Sequence, residues 1–325
     1  MTNMAVCIHE QGGPEVLQWE EYPVGDLQEG EVRVRHTAVG LNFIDTYMRS
    51  GIYPLPDLPR PIGLEAAGVV EELGPGVTGL HAGDRVAYAS PPPGAYSQTR
   101  RMPGDRVVKV PDSVTDEQAA AMMLKGMTAE YLLRRTFRVE PGMTVLFHSA
   151  AGGVGLIACQ WLKALGATVI GTVGTEEKAE LARAHGCDYP ILFDQVDWVE
   201  EVKNITDGEG VPVVYDSIGK TTLSKSIQCL AMHGMAVLFG QSSGPTDPIN
   251  LAVLAAGSNF ITRPTLMTYT KKREDLEASA ASLFDVVGSG QVRIEINQRY
   301  ALAEAQQAHR DLEGRKTTGS TLLIP

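Results

Sequence analysis

The stretch Thr144-Val145-Leu146-Phe147-His148-Ser149-Ala150-Ala151-Gly152-Gly153-Val154-Gly155 decides the fold. Its apolar first part predicts a buried strand at Thr144–His148, and apolar positions recur at helical spacing through Leu156–Gly166. The glycine-rich turn Ala150–Gly155 between them matches the dinucleotide fingerprint G-x-G-x-x-G, with alanine in place of the first glycine. Free N–H groups at a helix start bind a pyrophosphate, and glycine lets the backbone approach it. We therefore predict a dinucleotide-binding turn; the alternative is a glycine turn with a structural role only.

Five further short apolar runs follow this turn and alternate with helical stretches. Continuous apolar strands separated by helices predict a parallel sheet that is covered on both faces. Together with the first strand they predict an α/β domain with a six-stranded, doubly wound sheet of the Rossmann type. The further runs are Thr168–Thr172, Pro190–Phe193, Val213–Asp216, Met235–Phe239 and Phe260–Thr262.

The segment before this sheet has a different pattern. Alternating stretches such as Glu31–Arg35, and turns such as Gly74-Pro75-Gly76, predict a β-rich domain over about the first 125 residues. Near the end, one helix at Arg273–Gly288 and a last strand at Ser320–Ile324 are too little for a third domain. We therefore predict a β-rich substrate domain at 1–125 and 267–325, and a nucleotide-binding domain at 126–266.

The composition limits the classes of partner. The 325 residues include 28 Lys plus Arg and 39 Asp plus Glu, so the net charge is −11, which argues against nucleic acid and anionic membranes as partners. The four cysteines (Cys7, Cys159, Cys187 and Cys229) lack the spacing of a metal site or a disulfide framework. No stretch approaches the ~18 apolar residues of a membrane span, and the first ten residues do not resemble a signal peptide. We expect a cytoplasmic protein.

The second strand of the sheet bears on the choice of cofactor. An acidic residue at its end would hold the ribose 2′-hydroxyl of NAD, but Val173 stands there. Lys178 follows in the next helix and can reach a 2′-phosphate. Glu176 and Glu177 oppose this assignment, although acids are common in a first helical turn. The pattern favours NADPH over NADH; the alternative is that Lys178 only solvates its helix.

Two later segments, Asp216–Gly219 and Gly240–Gly244, follow predicted strands, and ligands bind at the carboxyl ends of strands in such sheets. Gly240–Gly244 also matches G-x-S-x-G, the nucleophile elbow of α/β-hydrolases. That elbow requires a helix directly after the serine, whereas Pro245 and Pro248 follow here. His309 is the only later histidine. We therefore reject the serine hydrolase.

Several spaced motifs together resemble the medium-chain dehydrogenase/reductases and, within them, the zinc-free NADPH:quinone oxidoreductases of the zeta-crystallin type. The likeness runs from Gly12 to Pro325. It implies a GroES-like first domain, NADPH bound in the cleft beside the Rossmann domain, and a homodimer formed through the edge of the Rossmann sheet. The motifs are Asn42–Tyr47, Gly63–Gly68, Ala82–Val86, the Ala150–Gly155 turn and Thr318–Ser320.

The same resemblance predicts that the catalytic zinc is missing. Zinc alcohol dehydrogenases carry a cysteine ligand where Asn42 stands, and a histidine where Leu64 stands. Asparagine binds zinc poorly and leucine does not bind it. The loop Pro91–Ala95 replaces their four-cysteine lobe. Without a Lewis acid the alkoxide of an alcohol is hard to stabilise, so we expect an electron-poor acceptor such as a quinone or an enone.

The resemblance also implies the site residues. We expect Asn42, Tyr47 and Tyr53 to be catalytic as hydrogen-bond donors to the acceptor, and Asp45 to orient neighbouring groups. Phe193 replaces a tyrosine that bacterial members have near the 2′-phosphate, which keeps the ring but loses the hydroxyl. The implied cofactor contacts are Asn42, Phe43, Ile44, Thr128, Ala151, Gly152, Gly153, Val154, Gly174, Thr175, Lys178, Phe193, Ser217, Ile218, Phe239, Gly240, Gln241, Ser242, Ser243, Arg263, Pro264, Thr265, Leu266 and Arg315.

The sequence thus predicts an enzyme that reduces quinones with NADPH by hydride transfer and without a metal. The nearest alternative is an NADPH-dependent alkenal or enone reductase on the same scaffold. An alternative of another class is an NADPH-regulated RNA-binding or structural protein, against which the charge of −11 argues.

Overall fold

The structure is a computed structural model and describes residues 3–325. The strands are β1 (Met4–Ile8), β2 (Leu17–Glu21), β3 (Glu31–Leu41), β4 (Arg60–Pro61), β5 (Glu65–Leu73), β6 (Arg85–Ala89), β7 (Thr99–Pro103), β8 (Val108–Lys109), β9 (Thr144–His148), β10 (Thr168–Val173), β11 (Tyr189–Leu192), β12 (Val211–Asp216), β13 (Leu230–Leu238), β14 (Phe260–Thr262), β15 (Ile296–Ala301) and β16 (Ser320–Ile324). The helices are α1 (Phe43–Ser50), α2 (Asp116–Tyr131), α3 (Gly153–Ala164), α4 (Glu176–Ala184), α5 (Trp198–Ile205), α6 (Leu223–Gln228), α7 (Leu266–Tyr269), α8 (Arg273–Gly288) and α9 (Ala305–Glu313).

The chain divides into two compact units. The first comprises the residues up to Met127, Thr270–Gly288 and Ile294–Pro325, and the second comprises Thr128–Tyr269 and Ser289–Arg293. The sequence placed the short segment Ser289–Arg293 in the β-rich domain. It belongs to the second unit because Gln160 of α3 holds it: Gln160 Nε2 donates to Arg293 O at 3.0 Å, and Arg293 N donates to Gln160 Oε1 at 2.9 Å.

The second unit is built on a parallel sheet with the strand order β11-β10-β9-β12-β13-β14. This order confirms the doubly wound Rossmann topology. Its core includes Leu146, Ile170 and Val214 from three adjacent strands, packed with Trp198 and Val202 of α5. The strand order reverses at β9, so the turn after β9 lies where open α/β sheets bind their ligands.

The first unit confirms the β-rich prediction. A larger sheet has the order β15-β16-β3-β5-β6-β8, with β7 also paired to β3, and β2-β1-β4 form a smaller sheet. The last strand, β16, pairs antiparallel with β3, with Leu322 opposite Gly40 and Leu323 opposite Val39. The core of this unit includes Val34, Val39 and Leu323.

Several elements begin earlier than the sequence predicted, and the differences are largest for α3 and β13. Helix α3 begins at Gly153, so the last glycines of the fingerprint form its first turn rather than a loop before it. Strand β13 begins at Leu230 rather than at Met235, and its pairing with β12 shifts in register between Val211 and Val213. Within residues 3–325, no helix is long and apolar enough to cross a membrane.

Candidate cofactor and acceptor site

The turn after β9 fits a phosphate group. A Cβ on Gly155 would lie 2.3 Å from Ser149 O and 2.6 Å from Ala150 O, so only glycine fits there. Ser149 opens the turn with a φ of 58°, a conformation that residues other than glycine adopt rarely. Gly152 is the N-cap of α3, and the first-turn N–H groups have no acceptors within the helix. The predicted contacts Ala151, Gly152, Gly153 and Val154 therefore lie together at one helix start, the kind of position that binds anions in proteins.

Two loops at the ends of β12 and β13 are joined by hydrogen bonds. Ser242 N donates to Ser217 O at 3.1 Å and Ser243 N donates to Ile218 O at 3.0 Å. A Cβ on Gly240 would lie 2.6 Å from Ser217 O, so glycine is needed for this close approach. The structure thus brings the predicted contacts Ser217, Ile218, Gly240, Ser242 and Ser243 together.

The loop after β13 also carries the sequence that matched the nucleophile elbow. Between Gln241 and Asn250 the chain forms neither a helix nor a strand, and the next helical turn begins at Leu251. The strand–serine–helix arrangement of that motif is therefore missing in this segment, as the prolines predicted.

Arg263, after β14, holds the same region. Its guanidinium donates to Leu238 O at 3.1 Å, to Gly240 O at 3.4 Å and to Gln241 Oε1 at 3.1 Å. Pro264 and Thr265 follow, and α7 then begins at the buried Leu266. Because parallel strands end at one edge of the sheet, this segment shares that edge with the turn after β9.

The end of β10 is the expected adenosine side. Val173 is buried, so the exposed residues at this strand end are Gly174 and Thr175. The ring of Phe193 lies beside them, 3.6 Å from the position of a Cβ on Gly174. Lys178 N donates to Thr175 Oγ1 at 3.3 Å as the cap of α4. Hydrogen bonds from its own backbone N–H and from the Thr175 side chain lower the pKa of Glu177, so this carboxylate also occupies the start of α4.

In the first unit, the candidate catalytic residues lie around α1. Asn42 is the N-cap, and its N–H donates to Asp45 Oδ2 at 2.9 Å, as in a capping box. The rings of Tyr47 and Tyr53 meet edge to face with centroids 5.5 Å apart, and Phe43 lies 6.5 Å from Tyr47. The structure therefore places Tyr47 against Tyr53 and Phe43, while Asn42 lies at the start of α1, followed by Phe43 and Ile44.

A buried ion pair that the sequence did not reveal fixes the Asn42 side chain. Glu65 accepts hydrogen bonds from Asn42 Nδ2 at 2.7 Å, from Leu124 N at 2.7 Å and from Lys125 Nζ at 3.2 Å. A carboxylate only accepts, so the amide nitrogen of Asn42 must face Glu65. The amide nitrogen of Asn42 is therefore engaged within the protein, and the expected role of Asn42 toward the acceptor stays a prediction. The signal for this pair was a single lysine, Lys125, within the otherwise apolar run Ala119–Met127 of α2.

A second buried network lies behind α1. Arg49 NH1 faces His309 Nδ1 at 2.9 Å, His309 Nε2 lies 2.9 Å from Tyr96 Oη, and Tyr96 donates to Asp45 Oδ2 at 3.0 Å. Arg49 also makes two hydrogen bonds to Glu313, at 2.8 and 3.0 Å. As arginine only donates, His309 Nδ1 accepts, and Nε2 carries the hydrogen that points at Tyr96.

Burial changes the acid–base properties of this network. It raises the pKa of Asp45 to about 7, against the opposing hydrogen bonds from Asn42 and Tyr96. Burial, together with the charge of Arg49, lowers the pKa of His309 to about 3. Asp45 Oδ1 has no hydrogen-bond partner in the described part of the chain. Asp45 thus orients its neighbours through one oxygen and leaves the other available for a proton.

Two further predicted cofactor contacts, Thr128 and Arg315, lie in other segments of the chain. Thr128 is a buried residue of α2, and Arg315 is an exposed residue with a φ of 57° after α9. Leu64 is 1% exposed in the core of the first unit. Among residues 3–325, no cluster of three or more His, Cys, Asp or Glu side chains is placed to hold a metal ion.

Family models match both parts of the chain. The model of the alcohol dehydrogenase GroES-like domain matches residues 28–139, and the model of the zinc-binding dehydrogenase matches residues 153–285. With the strand order and the turn after β9, these matches define the class: a medium-chain dehydrogenase/reductase with a GroES-like and a Rossmann-like part.

Similar proteins narrow the class to a family. The chain is 52% identical to a quinone oxidoreductase of Pseudomonas aeruginosa, over 97% of both chains. A crystal structure of Escherichia coli quinone oxidoreductase complexed with NADPH has a TM-score of 0.97 and 48% identity, and the match covers 99% of this chain and 100% of that one. A 2-haloacrylate reductase from a Burkholderia species is 49% identical over 99% of both chains. The chain belongs to the quinone oxidoreductase family.

Proposed function

We propose that the protein reduces quinones with NADPH by hydride transfer and without a metal. The observation that carries the proposal is the glycine turn after β9, in a chain that is about half identical to quinone oxidoreductases along its whole length. The turn supplies the nucleotide site. The likeness to quinone oxidoreductases supports a quinone as the hydride acceptor.

The described residues fit NADPH. A Cβ on Gly155 would collide with the backbone, which is the requirement of a turn that packs tightly below a pyrophosphate. Lys178 and Thr175 at the start of α4, with the ring of Phe193, are the groups we assign to the 2′-phosphate and the adenine. NADPH supplies the hydride when it is bound, and the protein contributes orientation and electrostatics.

At the nicotinamide end, we assign complementary roles to α1 and its neighbours. Asn42 offers its amide oxygen as an acceptor, because Glu65 engages its nitrogen. The hydroxyl groups of Tyr47 and Tyr53 are the donors that stabilise negative charge on the acceptor oxygen as the hydride arrives. A quinone needs one proton in addition to the hydride to become a hydroquinone.

The residues at the positions of the zinc ligands support the metal-free assignment. Leu64 has no donor atom, and the nitrogen of Asn42 is committed to a buried carboxylate. Neither side chain is a suitable ligand for zinc. An acceptor that needs no Lewis acid therefore fits this site better than an alcohol.

A substrate panel tests the proposal. Steady-state oxidation of NADPH is measured with 1,4-benzoquinone, with a 2-alkenal and with 2-chloroacrylate, and each is repeated with NADH. We expect the highest kcat/KM for NADPH with the quinone. Turnover of the alkenal or of 2-chloroacrylate without turnover of the quinone would contradict it.

The second candidate, reduction of an activated carbon–carbon double bond, is favoured by one observation. A relative that is 49% identical over 99% of both chains is a 2-haloacrylate reductase. Hydride addition to a conjugated enone likewise places negative charge on the oxygen, which hydrogen-bond donors stabilise, and one proton then completes the reduction. The same panel distinguishes the two.

We also propose a homodimer formed through the edge of the second unit's sheet. Strand β14 is one of the two edge strands of this sheet, and exposed apolar side chains lie in it, in β13 and in the turn before it: Phe260 is 54% exposed, Met232 77% and Leu251 67%. An open edge strand and an apolar patch both favour association. Sedimentation equilibrium should show a dimer for the wild-type protein and a monomer for Phe260→Glu.

The cytoplasmic location stays a prediction, which cell fractionation can test.

A further inference from the structure

A chain of buried polar side chains joins the ends of three strands in the second unit. It consists of His148 in β9, Thr172 in β10, Asp216 in β12 and Ser226 in α6, each at most 1% exposed. His148 Nδ1 lies 2.8 Å from Thr172 Oγ1, and His148 Nε2 lies 3.0 Å from Ser226 Oγ. Ser226 Oγ donates to Asp216 Oδ2 at 2.8 Å. We call these four side chains the buried relay.

The hydrogens of the buried relay all point in one direction. The other partners of Ser226 Oγ, Asp216 Oδ2 and Thr222 O, only accept, so this hydroxyl accepts from His148 Nε2. With its hydrogen on Nε2, neutral His148 accepts at Nδ1 from the Thr172 hydroxyl. Thr172 Oγ1 in turn accepts from Ser149 N at 3.4 Å. Burial lowers the pKa of His148, against a smaller effect of the Asp216 charge, and so keeps the ring neutral.

Each end of the buried relay holds a loop of the candidate cofactor site. Ser149 begins the phosphate-binding turn, and its carbonyl accepts from Gly152 N at 2.9 Å. At the other end, Asp216 Oδ1 accepts from Ile218 N at 2.8 Å and from Gly219 N at 3.0 Å. The relay is therefore a polar link between the turn after β9 and the loop after β12.

We propose that Thr172, His148 and Ser226 are positioning residues that set the spacing between these two loops, so that NADPH is bound by both at once. The inference rests on the proposed placement of NADPH along this edge of the sheet. With at most 1% exposure, these side chains act through the loops and not by touching the cofactor. A ligand that spans both loops depends on their spacing, whereas a ligand that binds only the adenosine side does not.

Two ligands separate these cases: NADPH, and 2′,5′-ADP, which carries the adenosine 2′-phosphate but no nicotinamide. The test variants are Ser226→Ala and Thr172→Val. The matched controls are Ser224→Ala, an exposed position of the same helix, and Thr168→Val, a position of the same strand outside the relay. Kd for both ligands is measured by calorimetric titration of the full-length protein.

We expect the Kd of NADPH to rise about tenfold in both test variants, as for the loss of one buried hydrogen bond. The Kd of 2′,5′-ADP should stay within about twofold, the controls should match wild type, and Thr172→Ser, which keeps the hydroxyl, should restore NADPH binding. If Ser226→Ala fails to fold, the Kd of NADPH in Thr172→Val, compared with that in Thr172→Ser, tests the inference by itself.

Three outcomes overturn the inference. An unchanged Kd for NADPH in the test variants shows that the loops keep their spacing without the relay. An equal loss of affinity for both ligands shows a general loss of structure. If wild-type protein fails to bind NADPH, the proposed function fails together with the inference, whereas the first two outcomes leave the proposed function intact.

Discussion

The two units position their candidate site residues by different means. In the second unit the candidate cofactor-binding groups are mainly backbone N–H groups, in loops closed by glycines such as Gly155 and Gly240. In the first unit Asn42 is fixed by Glu65, 23 residues away, which in turn pairs with Lys125, 60 residues further on. The comparison teaches that a site made of backbone groups can be recognised from a short stretch of sequence. The geometry of a site fixed by buried charges depends on residues far apart in the sequence, which only the folded unit brings together.

The largest effect on cofactor binding is expected at Gly155, where the backbone leaves no room for a side chain. Gly155→Val places a side chain where even a Cβ would lie 2.3 Å from Ser149 O. We expect the Kd of NADPH to rise at least about a hundredfold, because the turn must shift away from the phosphate. Calorimetric titration measures it. Gly152→Ala, whose Cβ would lie 3.2 Å from Ser149 O, should have a smaller effect. Equal binding by wild type and Gly155→Val would refute the backbone site.

Removing one member of the buried ion pair should have the largest effect on stability. Lys125→Met leaves Glu65 buried without its cation, and Glu65→Leu leaves Lys125 uncompensated. Each single change should lower the free energy of unfolding by about 3–5 kcal/mol, and the double change by much less than the sum. Urea unfolding of the four proteins measures the coupling. Additive losses would show that the two charges do not stabilise each other.

The raised pKa of Asp45 predicts a pH-dependent stability. Its pKa is raised from 3.8 to about 7 in the folded protein, so protonated Asp45 stabilises the fold at low pH and this stability is lost as the pH rises towards 7. Asp45→Asn removes the titration. Relative to this variant, wild type should lose about 2–3 kcal/mol between about pH 5 and pH 7, since one pKa unit is worth 1.36 kcal/mol. Parallel pH profiles of urea unfolding would contradict the shift.

The smallest effect is expected at the cofactor's 2′-phosphate. Lys178→Ala should weaken NADPH roughly tenfold and NADH hardly at all, because a charge-assisted hydrogen bond to the phosphate is lost. Lys163→Ala, which removes an exposed lysine that pairs with Asp188, is the control. Steady-state KM values for both cofactors measure the effect. An equal loss for NADPH and NADH would refute the assignment of Lys178.

The same comparison explains how much the sequence could predict. Thr144–His148 and Phe260–Thr262 were predicted with the bounds of β9 and β14, because buried parallel strands are short apolar runs between turns. The hydrogen-bond partners of Asn42 could not be predicted from the sequence, and neither could the contact between Tyr96 and His309, which are 213 residues apart. These residues are distant in the sequence and meet only in the folded chain. The start of β13 was missed because its first part, Leu230–Gly234, includes exposed positions and does not continue the apolar run. The catalytic and cofactor roles of individual residues stay predictions.

One measurement tests the central claim most directly: the rate of NADPH oxidation with 1,4-benzoquinone by protein dialysed against a strong zinc chelator, with zinc content determined on the same sample. The account predicts an undiminished rate, no stoichiometric zinc, and a much lower rate with NADH. A rate that is lost on chelation and restored by added zinc would contradict the metal-free assignment, and the absence of quinone-dependent oxidation would contradict the function itself.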